Sequence, residues 1–377
     1  MAVSDEKQTL TYRQLFSQIR SAAGHLSAYR GQVVALLADN SPEWLIIDLA
    51  AQQAGVVLLP LPIYFTTSQI QHALQSAAAQ VLIYSPDDVS GEFLNNRVVE
   101  PQAFGNYSLQ LVKGPFGPAI NLPEGTDKIT FTSGSTGTPK GVCLSNSQQL
   151  NVAKSLLNVT DLQSPRHLVV LPLSTLLENI AGVYAPLLAG GEVMLKPLAK
   201  KGYLAGHQYF LQSLIDSQPE TMILVPELLT KLVNAVLSGW QPPASLKFIA
   251  VGGSRVAADL IHKARQLGLP VYEGYGLSEA GSVVSLNSRK ADKPGSAGKV
   301  LPHLTVSIEN GEVVIEDSEF LGYIGDQKSS EKKLFTGDIG QIDADGFLSI
   351  KGRKKQLIIS SYGRNINPEW VESEVLA

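Results

Sequence analysis

The stretch ITFTSGSTGTPKGV, residues 129–142, is the most informative part of the chain. An apolar strand start leads into a loop of serine, threonine and glycine that ends at Lys140. Glycines let backbone N–H groups turn toward an anion, and a lysine adds a positive charge beside them. Further donors are the hydroxyl groups of Thr132, Ser133, Ser135 and Thr136. This composition predicts a loop that binds the phosphates of a nucleotide.

The loop does not fit two other well-known motifs. In a Walker A loop a glycine precedes the lysine and Ser or Thr follows it, whereas Pro139 precedes Lys140 and Gly141 follows it. No serine lies in the Gly-x-Ser-x-Gly pattern of a hydrolase nucleophile elbow. A flexible polar linker is the bland alternative, but the loop is flanked by an apolar strand and by the segment GVCLS. A phosphate-binding loop is therefore the favoured interpretation.

The composition fits a globular α/β enzyme. Of 377 residues, 44% are hydrophobic and 17% are charged, which excludes intrinsic disorder. A formal net charge of −4 lacks the basic character of a general nucleic-acid binder. Cys143 is the single cysteine, so neither an internal disulfide nor a multi-cysteine zinc site is expected. The N-terminus has no signal-peptide pattern, and the apolar stretch 168–191 is interrupted by Glu178 and prolines, so we expect a cytoplasmic protein without a membrane span.

Alternating strand and helix patterns predict two α/β layers with largely parallel sheets. Thr11 is placed to cap a helix over 9–30. Ser41 and Gly55 mark the start and end of the next helix, whose first residue is Pro42. Further helix patterns occupy 67–79, 207–218 and 226–237. Apolar strand patterns occupy 33–38, 56–62, 81–84, 167–173, 192–198, 221–226, 246–253 and 269–276.

The pattern changes after Pro294. Alternating apolar and polar residues surround Asn310-Gly311 and Asp345-Gly346, which are two strong hairpin signals. The helix pattern that begins at Asn367 is short and has no partner layer after it. The predicted domains are an α/β body of two subdomains (1–294), a small antiparallel, β-barrel-like module (295–352), and a hinge with the start of a truncated C-terminal domain (353–377).

These motifs together resemble the AMP-binding, adenylate-forming superfamily of acyl-CoA ligases, luciferases and peptide-synthetase adenylation modules. The segment TSGSTGTPK (132–140) matches the phosphate loop of that family. Later motifs follow in the family's order: Gly252-Gly253-Ser254, Tyr275-Gly276-Leu277-Ser278-Glu279, Thr336-Gly337-Asp338 and Gly352-Arg353. The resemblance implies that ATP or AMP is bound by Thr132, Ser133, Gly134, Ser135, Thr136, Gly137, Gly252, Gly253, Ser254, Gly274, Tyr275, Gly276, Asp338 and Arg353.

The resemblance also implies individual roles. Tyr275 would stack on adenine, Asp338 would accept hydrogen bonds from both ribose hydroxyls, and Arg353 would also reach the ribose. Ser278 would contact the AMP phosphate. The implied catalytic residues are Lys140, Ser278 and Glu279, the implied magnesium ligands are Glu279 and Thr136, and the implied hinge is Lys355. Independently, carboxylates at strand ends suit hydroxyl groups or a hard cation, although Asp338 or Glu279 alone is also compatible with a solvated turn.

The acid pocket is expected to be apolar and to lie near 171–184 and 251–256. The segment LPLSTLLENIAG (171–182) resembles the corresponding segment of long-chain acyl-CoA synthetases. Thr175 stands near the position of a histidine in many fatty-acid members, and Glu178 either matches a family glutamate or caps a local helix. The predicted acyl contacts are Leu173, Leu176, Leu177 and Ile180.

The resemblance therefore implies a long-chain fatty-acid–CoA ligase that uses ATP, Mg²⁺ and CoA. Two alternatives stay open: a fatty acyl-AMP ligase that loads the phosphopantetheine of a carrier protein, and a non-catalytic nucleotide- or acyl-binding body completed by a partner domain. The family's small C-terminal domain, with its catalytic lysine, is expected after about residue 355 and is missing here. We therefore expect weak activity unless that domain is supplied in cis or in trans.

Overall fold

The computed structural model describes residues 1–89, 102–132, 140–196, 207–326, 332–355, 358–359 and 365–366. Its α-helices are α1 (Tyr12–Leu26), α2 (Pro42–Ala54), α3 (Thr67–Ser76), α4 (Asn146–Thr160), α5 (Ala185–Leu188), α6 (His207–Ser217), α7 (Pro226–Leu237) and α8 (Ala258–Gln266). A π-helical segment (Glu178–Tyr184) and 3₁₀ turns at Ser27–Tyr29 and Ser278–Ala280 complete the helical elements of this part of the chain.

In the part of the chain that the structure describes, the strands lie in four sheets. In chain order they are β1 (Val3–Ser4), β2 (Thr9–Leu10), β3 (Val33–Leu37), β4 (Val57–Leu61), β5 (Val81–Tyr84), β6 (Gln102–Ala103), β7 (Gln110–Lys113), β8 (Lys128–Thr132), β9 (Lys140–Leu144), β10 (Arg166–Val169), β11 (Glu192–Leu195), β12 (Thr221–Leu224), β13 (Phe248–Val251), β14 (Val271–Leu277), β15 (Ser282–Leu286), β16 (Lys299–Val300), β17 (Thr305–Glu309), β18 (Glu312–Glu316), β19 (Leu334–Ile342), β20 (Leu348–Arg353), β21 (Ile358–Ile359) and β22 (Asn365–Ile366).

The first large sheet has the order β6-β7-β5-β3-β4-β8-β9. Strands β5, β3, β4 and β8 are parallel, while β7 and β9 add antiparallel strands on either side. Every side chain of β3 is buried, as the continuous apolar run of a parallel strand covered on both faces predicts. The β8–β9 hairpin closes at Thr132 and Lys140, which are register partners.

The second large sheet has the order β16-β15-β14-β13-β12-β10-β11-β1-β2. Strands β10 to β14 are parallel, and antiparallel strands β15 and β2 extend the sheet at its two sides. The carboxyl ends of β13 and β14 are therefore neighbours at one edge. That edge carries Gly252 after β13, with Gly274, Tyr275 and Gly276 in the last part of β14. The expected α/β class with largely parallel sheets is confirmed.

The predicted antiparallel module is a four-stranded sheet of order β17-β18-β19-β20. Its first hairpin turns at Asn310 and Gly311, whose positive φ values of 51° and 81° suit the Asn-Gly pair. In the described part of the chain the sheet is open, with β17 and β20 at its edges, so the barrel-like detail of the prediction is not found.

The helix signals act as the sequence predicts. Thr11 accepts a hydrogen bond from the backbone of Gln14, and Ser41 accepts from Trp44 before Pro42 begins α2. Gly55 ends that helix with a left-handed φ of 69°. Helix α1 begins at residue 12 rather than 9 because Thr9 and Leu10 pair with β1. The helix predicted after Asn367 lies outside the described residues. No helix in the described part is long and apolar enough to cross a bilayer.

Candidate active site

The predicted phosphate loop is held between two antiparallel strands. Thr132 ends β8 and Lys140 begins β9 directly opposite it. Lys140 is exposed, and its Nζ lies 5.1 Å from the ring centroid of Tyr323. The other predicted loop residues lie outside the described residues: Ser133, Gly134, Ser135, Thr136 and Gly137. The structure thus places the two ends of the loop.

Glycines at the ends of β13 and β14 keep this edge of the sheet open. Gly253 has a φ of 89°, which strains any other residue. A Cβ on Gly276 would stand 1.8 Å from the carbonyl oxygen of Ser282, so no side chain fits there. Gly252 and Gly274 are adjacent, because a Cβ on Gly252 would lie 3.2 Å from the Gly274 carbonyl oxygen. The predicted residues Gly252, Gly253, Ser254, Gly274 and Gly276 therefore share one edge.

Tyr275, Asp338 and Arg353 form a hydrogen-bonded group. Tyr275 donates from its hydroxyl to Asp338 Oδ2 over 2.6 Å, and Arg353 Nε lies 2.8 Å from Asp338 Oδ1. Asp338 and Arg353 are register partners on β19 and β20. Burial and the neighbouring Asp338 charge raise the pKa of Tyr275, so the phenol stays a donor. Three residues that the sequence placed around one nucleoside are brought together.

Glu279 accepts a hydrogen bond from a tyrosine that the sequence motifs did not identify. The Tyr323 hydroxyl donates to Glu279 Oε1 over 2.8 Å. Tyr323 is positioned by its bridge to Val142 of β9, and Gln148 donates to the Glu279 backbone oxygen. Burial, with the Glu279 charge next, raises the pKa of Tyr323. Tyr323 therefore connects Glu279 with Lys140, and no motif around Tyr323 signalled this contact.

The carboxylate of Glu279 suits Mg²⁺ bound together with a nucleotide. Mg²⁺ is usually held by one or two carboxylates plus substrate phosphates, whereas a dedicated protein cage needs more ligands. The described residues contain no cluster of three His, Cys, Asp or Glu side chains able to hold a metal. Thr136, the other predicted ligand, lies outside them. The donor set thus fits a cation that arrives with phosphate ligands.

An apolar cavity of about 220 Å³ adjoins this edge. Its lining includes Gly252, Gly253 and the segment from Gly274 to Ser278, so the cavity opens onto the predicted nucleotide residues. The walls include β12 and β13 on one side and α4 with the π-helical segment on the other. The hydrophobic lining residues on the helical side include Leu156, Leu157, Leu176, Leu177, Ala181 and Ala185.

Two of the four predicted acyl contacts line the cavity. Leu176 and Leu177 do so, whereas Leu173 and Ile180 are buried in the main core and are not part of its lining. The prediction for Leu173 and Ile180 thus has no support from the cavity's geometry. Ser278, the residue before Glu279, also lines the cavity. Lys355 lies exposed in the turn after β20, and its hinge role stays a prediction.

Glu178 belongs to a buried polar cluster at the other end of the cavity. Its Oε1 lies 2.9 Å from His167 Nε2, and its Oε2 accepts from the Leu171 backbone over 3.0 Å. His167 Nδ1 lies 2.9 Å from Thr221 Oγ1. Burial raises the pKa of Glu178, although the hydrogen bond and charge of His167 oppose this. The contacts of the Glu178 carboxylate go to His167 and to the Leu171 backbone, so they give the helix-capping alternative no support.

A second buried network supports the π-helical segment from behind. Lys128 Nζ lies 2.7 Å from Asp48 Oδ1 and donates to Asn179 Oδ1 and to the Tyr184 hydroxyl. Asn179 Nδ2 and the Tyr184 hydroxyl each donate to Asp48 Oδ2 over 2.9 Å. Burial lowers the pKa of Lys128, and the Asp48 charge opposes that shift. The network joins α2, β8 and the wall of the cavity.

Comparison with known proteins agrees with this geometry. A family model described as AMP-binding enzyme matches residues 1–324. A feruloyl-CoA synthase of an Amycolatopsis species is 30% identical, over 99% of this chain and 79% of that protein. A 2-succinylbenzoate–CoA ligase of Bacillus subtilis is 26% identical, over 100% of this chain and 79% of that protein.

Solved structures show the same fold. An anthranilate CoA ligase in complex with anthranoyl-AMP has a TM-score of 0.85 at 19% identity, covering 100% of this chain and 78% of that one. An O-succinylbenzoate coenzyme A synthetase from Bacillus subtilis, in complex with ATP and a magnesium ion, has a TM-score of 0.78 at 24% identity. That match covers 100% of this chain and 81% of the other.

Proposed function

The chain belongs to the AMP-binding enzyme family, and we propose that it activates an aryl carboxylic acid with ATP and transfers the acyl group to CoA. Acid activation through an adenylate, with ATP, Mg²⁺ and CoA, fits the family and the relatives that are CoA ligases. The aryl class of the acid is the finer part of the proposal. It departs from the long-chain fatty acid that the sequence motifs suggested.

One observation carries the proposal: the apolar cavity and the predicted nucleotide residues share Gly252, Gly253 and the segment from Gly274 to Ser278. An acid in the cavity would present its carboxylate at the edge where Tyr275 and Asp338 lie. A carboxylate is already a nucleophile, so the first step needs positioning and charge stabilisation rather than a general base.

The chemistry has two balanced steps. A carboxylate oxygen forms a bond to the α-phosphorus of ATP, and the bond from that phosphorus to the bridging oxygen breaks, releasing pyrophosphate. The CoA thiol then loses its proton and attacks the acyl carbon, and AMP leaves with the electron pair of the broken C–O bond. Both steps build negative charge on phosphate oxygens, which fixed donors and cations stabilise.

Each described site residue has a role in this scheme. Asp338 would accept from the ribose hydroxyls, and Tyr275, held by Asp338, would offer its ring to adenine. Lys140 would lie beside the departing phosphates. Glu279 would hold Mg²⁺, which when bound neutralises charge on the phosphates. The buried Asp338 carboxylate is fixed by two partners, so it needs little reorganisation to hold a ligand.

The far end of the cavity favours an aryl acid over a long alkyl chain. His167 and Thr221 line that end, and the Phe248 ring lies in the same cross-strand row. A methyl terminus placed there would cover polar groups without giving them a hydrogen bond, which is unfavourable. The relatives that carry the comparison are named for feruloyl and 2-succinylbenzoyl substrates, and none of those named above is a fatty-acid ligase.

Two finer expectations have no support from these relatives. They are CoA ligases, so a carrier protein as acceptor is not proposed. Completion by a separate C-terminal domain, with weak turnover by this chain alone, stays a prediction.

The test combines binding with exchange. Calorimetry with Mg–ATP and AMP should show binding of both, and ATP–pyrophosphate exchange should depend on added cinnamate-type or benzoate-type acids more than on dodecanoate or hexadecanoate. If exchange is too slow to measure, the same acids are titrated in the presence of a non-hydrolysable α,β-methylene ATP analogue. Failure of both nucleotides to bind would overturn the activation chemistry, and a preference for the fatty acids would overturn the aryl assignment.

A further inference from the structure

Three residues from neighbouring strands form one row at the end of the cavity away from the glycines. His167 pairs in register with Thr221, and Thr221 pairs with Phe248. All three line the cavity and are nearly fully buried. The row therefore places an imidazole and a hydroxyl group beside an aromatic ring, at one end of a cavity whose other walls are mostly apolar.

The hydrogen bonds of this row leave the Thr221 hydroxyl group able to bond to a ligand. Glu178 Oε2 accepts from the Leu171 backbone, and Glu178 Oε1 is paired with His167 Nε2. His167 Nδ1 is directed at Thr221 Oγ1. A threonine hydroxyl has one proton and two lone pairs, so the single contact to His167 leaves Thr221 able to make a further bond.

The groups behind His167 and Thr221 determine which kind of ligand group can bind at this end of the cavity. Glu178 lies directly behind His167 and already accepts from the Leu171 backbone, so a second carboxylate at this end would lie beside another acidic group and would pay its own desolvation. A cationic group would face His167, whose two ring nitrogens are already turned to Glu178 and Thr221. A neutral hydroxyl group can both donate and accept, and it matches Thr221 whichever ring nitrogen of His167 carries a proton.

The position of the row suits a ring with a short linker. From Phe248, the first residue of β13, to Gly252, which follows that strand, the chain advances four residues, which is about 13 Å at ~3.3 Å per residue. After the van der Waals radii of the walls are allowed for, this leaves room for an aromatic ring with a two-carbon linker to its carboxylate.

We propose that Thr221, held in place by His167 and Glu178, binds a hydroxyl group on the ring of the acid, opposite the carboxylate-bearing chain. Thr221 is then a specificity-determining residue, and His167 and Glu178 are positioning residues. The inference rests on the proposed function, since it assumes that the acid carboxylate lies at the glycine-rich edge. It narrows the substrate class from aryl acids to para-hydroxylated arylpropenoic acids.

The experiment compares matched acids on the whole chain. 4-Hydroxycinnamate, cinnamate and 4-methylcinnamate are titrated in the presence of the α,β-methylene ATP analogue and Mg²⁺. The wild-type chain should bind 4-hydroxycinnamate about tenfold more tightly than cinnamate, as one net hydrogen bond predicts. The methyl analogue, which has the size of the hydroxyl compound but no donor, should bind no better than cinnamate.

Thr221→Val removes the hydroxyl group and keeps the shape of the side chain. It should abolish the tenfold preference by weakening 4-hydroxycinnamate alone, with AMP affinity unchanged. Thr230→Val makes the same change on α7, outside the cavity lining, where the hydroxyl donates to the Pro226 backbone. That control should keep the full preference.

The outcomes distinguish failure of the Thr221 assignment from failure of the proposed function. Equal binding of the three acids by the wild-type chain would overturn the role of Thr221 and leave aryl-acid activation standing, and it needs no variant to fold. A preference that survives Thr221→Val would also overturn it. Failure of every aryl acid and nucleotide to bind would instead refute the proposed function.

Discussion

Gly182 lies so close to Glu178 that a methyl group on its Cα would stand 2.2 Å from Glu178 Oε1. The same methyl group would stand 2.7 Å from His167 Nε2. Both contacts are far shorter than van der Waals distance, so the polar cluster at the end of the cavity requires a glycine at this point of the π-helical segment. Because Gly182 has no side chain, the Glu178 carboxylate can be buried beside it.

Gly182→Ala should destabilise the protein by about 1–3 kcal/mol, because the added methyl group forces Glu178 and His167 apart in a packed interior. Urea unfolding measures this change. Gly24→Ala is the matched control: Gly24 is an exposed residue of α1, and a methyl group on its Cα would have no neighbouring atom within 4 Å. Alanine there should be neutral or stabilise by up to about 1 kcal/mol. Equal effects at the two sites would contradict the packing argument.

The ion pair between Lys128 and Asp48 should be strongly coupled. Lys128→Met and Asp48→Asn should each cost about 3–5 kcal/mol, because each leaves a buried partner uncompensated. The double variant should cost clearly less than the sum. Lys290 and Asp161 provide the control, since they lie 2.8 Å apart but are each 61% exposed. Their coupling in the same urea experiment should be below about 1 kcal/mol.

Local chemistry made much of the fold predictable. Ser41 with Pro42 starts α2, Gly55 ends it, and Asn310-Gly311 turns a hairpin, because each signal acts within a few residues. The glycines at the ends of β13 and β14 were also identified from the sequence, through the order of the family motifs. These features depend on backbone conformation and capping, which the sequence specifies directly.

Contacts across the fold were not predictable in this way. Tyr323 reaches Glu279, and His167 reaches Glu178, only through the packing of separate strands and segments. The predicted acyl contact at Ile180 has no support from the cavity's lining. Leu177, Ala181 and Ala185 line the cavity, whereas Ile180 packs into the main core, and the apolar composition of the segment does not specify which of its faces meets the cavity.

Glu273 predicts a dependence of stability on pH. Burial raises its pKa to about 8, against the opposing charge of Arg255. Its pKa in the unfolded chain is about 4.3, so the folded protein holds a proton that the unfolded chain has lost between these values. The free energy of unfolding should therefore fall as pH rises through this window, by at most about 1.4 kcal/mol per pH unit, and level off above pH 8.

Glu273→Gln keeps the neutral form and should remove this slope. The variant should melt at a higher temperature than the wild type at pH 9, with a difference that shrinks toward pH 5. Glu316→Gln is the control of opposite sign, because hydrogen bonds from Ser307 and Lys333 lower the pKa of Glu316. Its effect should be destabilising and constant from pH 6 to 9. A flat difference for Glu273→Gln would show that the carboxyl group is ionised throughout.

Asp338→Asn should weaken AMP binding by about 1–3 kcal/mol, because a charged acceptor for the ribose hydroxyls becomes a neutral amide. Calorimetry with AMP measures the loss, and thermal melting checks that β19 and β20 still pair. Asp345→Asn, at an exposed turn between the same two strands, should leave the affinity unchanged. Unaltered AMP affinity in a folded Asp338→Asn variant would remove this residue from the nucleotide site.

Tyr323→Phe tests whether Glu279 holds the cation. The variant keeps the ring beside Lys140 and removes only the hydroxyl that donates to Glu279 Oε1. A carboxylate that loses its orienting partner typically binds metal about 10–100-fold more weakly. The Mg²⁺ concentration needed for ATP binding should therefore rise at least about tenfold, while the affinity for AMP without Mg²⁺ stays constant. Tyr275→Phe should show a different pattern, because its hydroxyl group bonds to Asp338. This variant should lower the affinities for AMP and for Mg–ATP by the same factor. An unchanged Mg²⁺ requirement in Tyr323→Phe would mean that the cation is held elsewhere, since the hydroxyl group touches no other predicted ligand among the described residues.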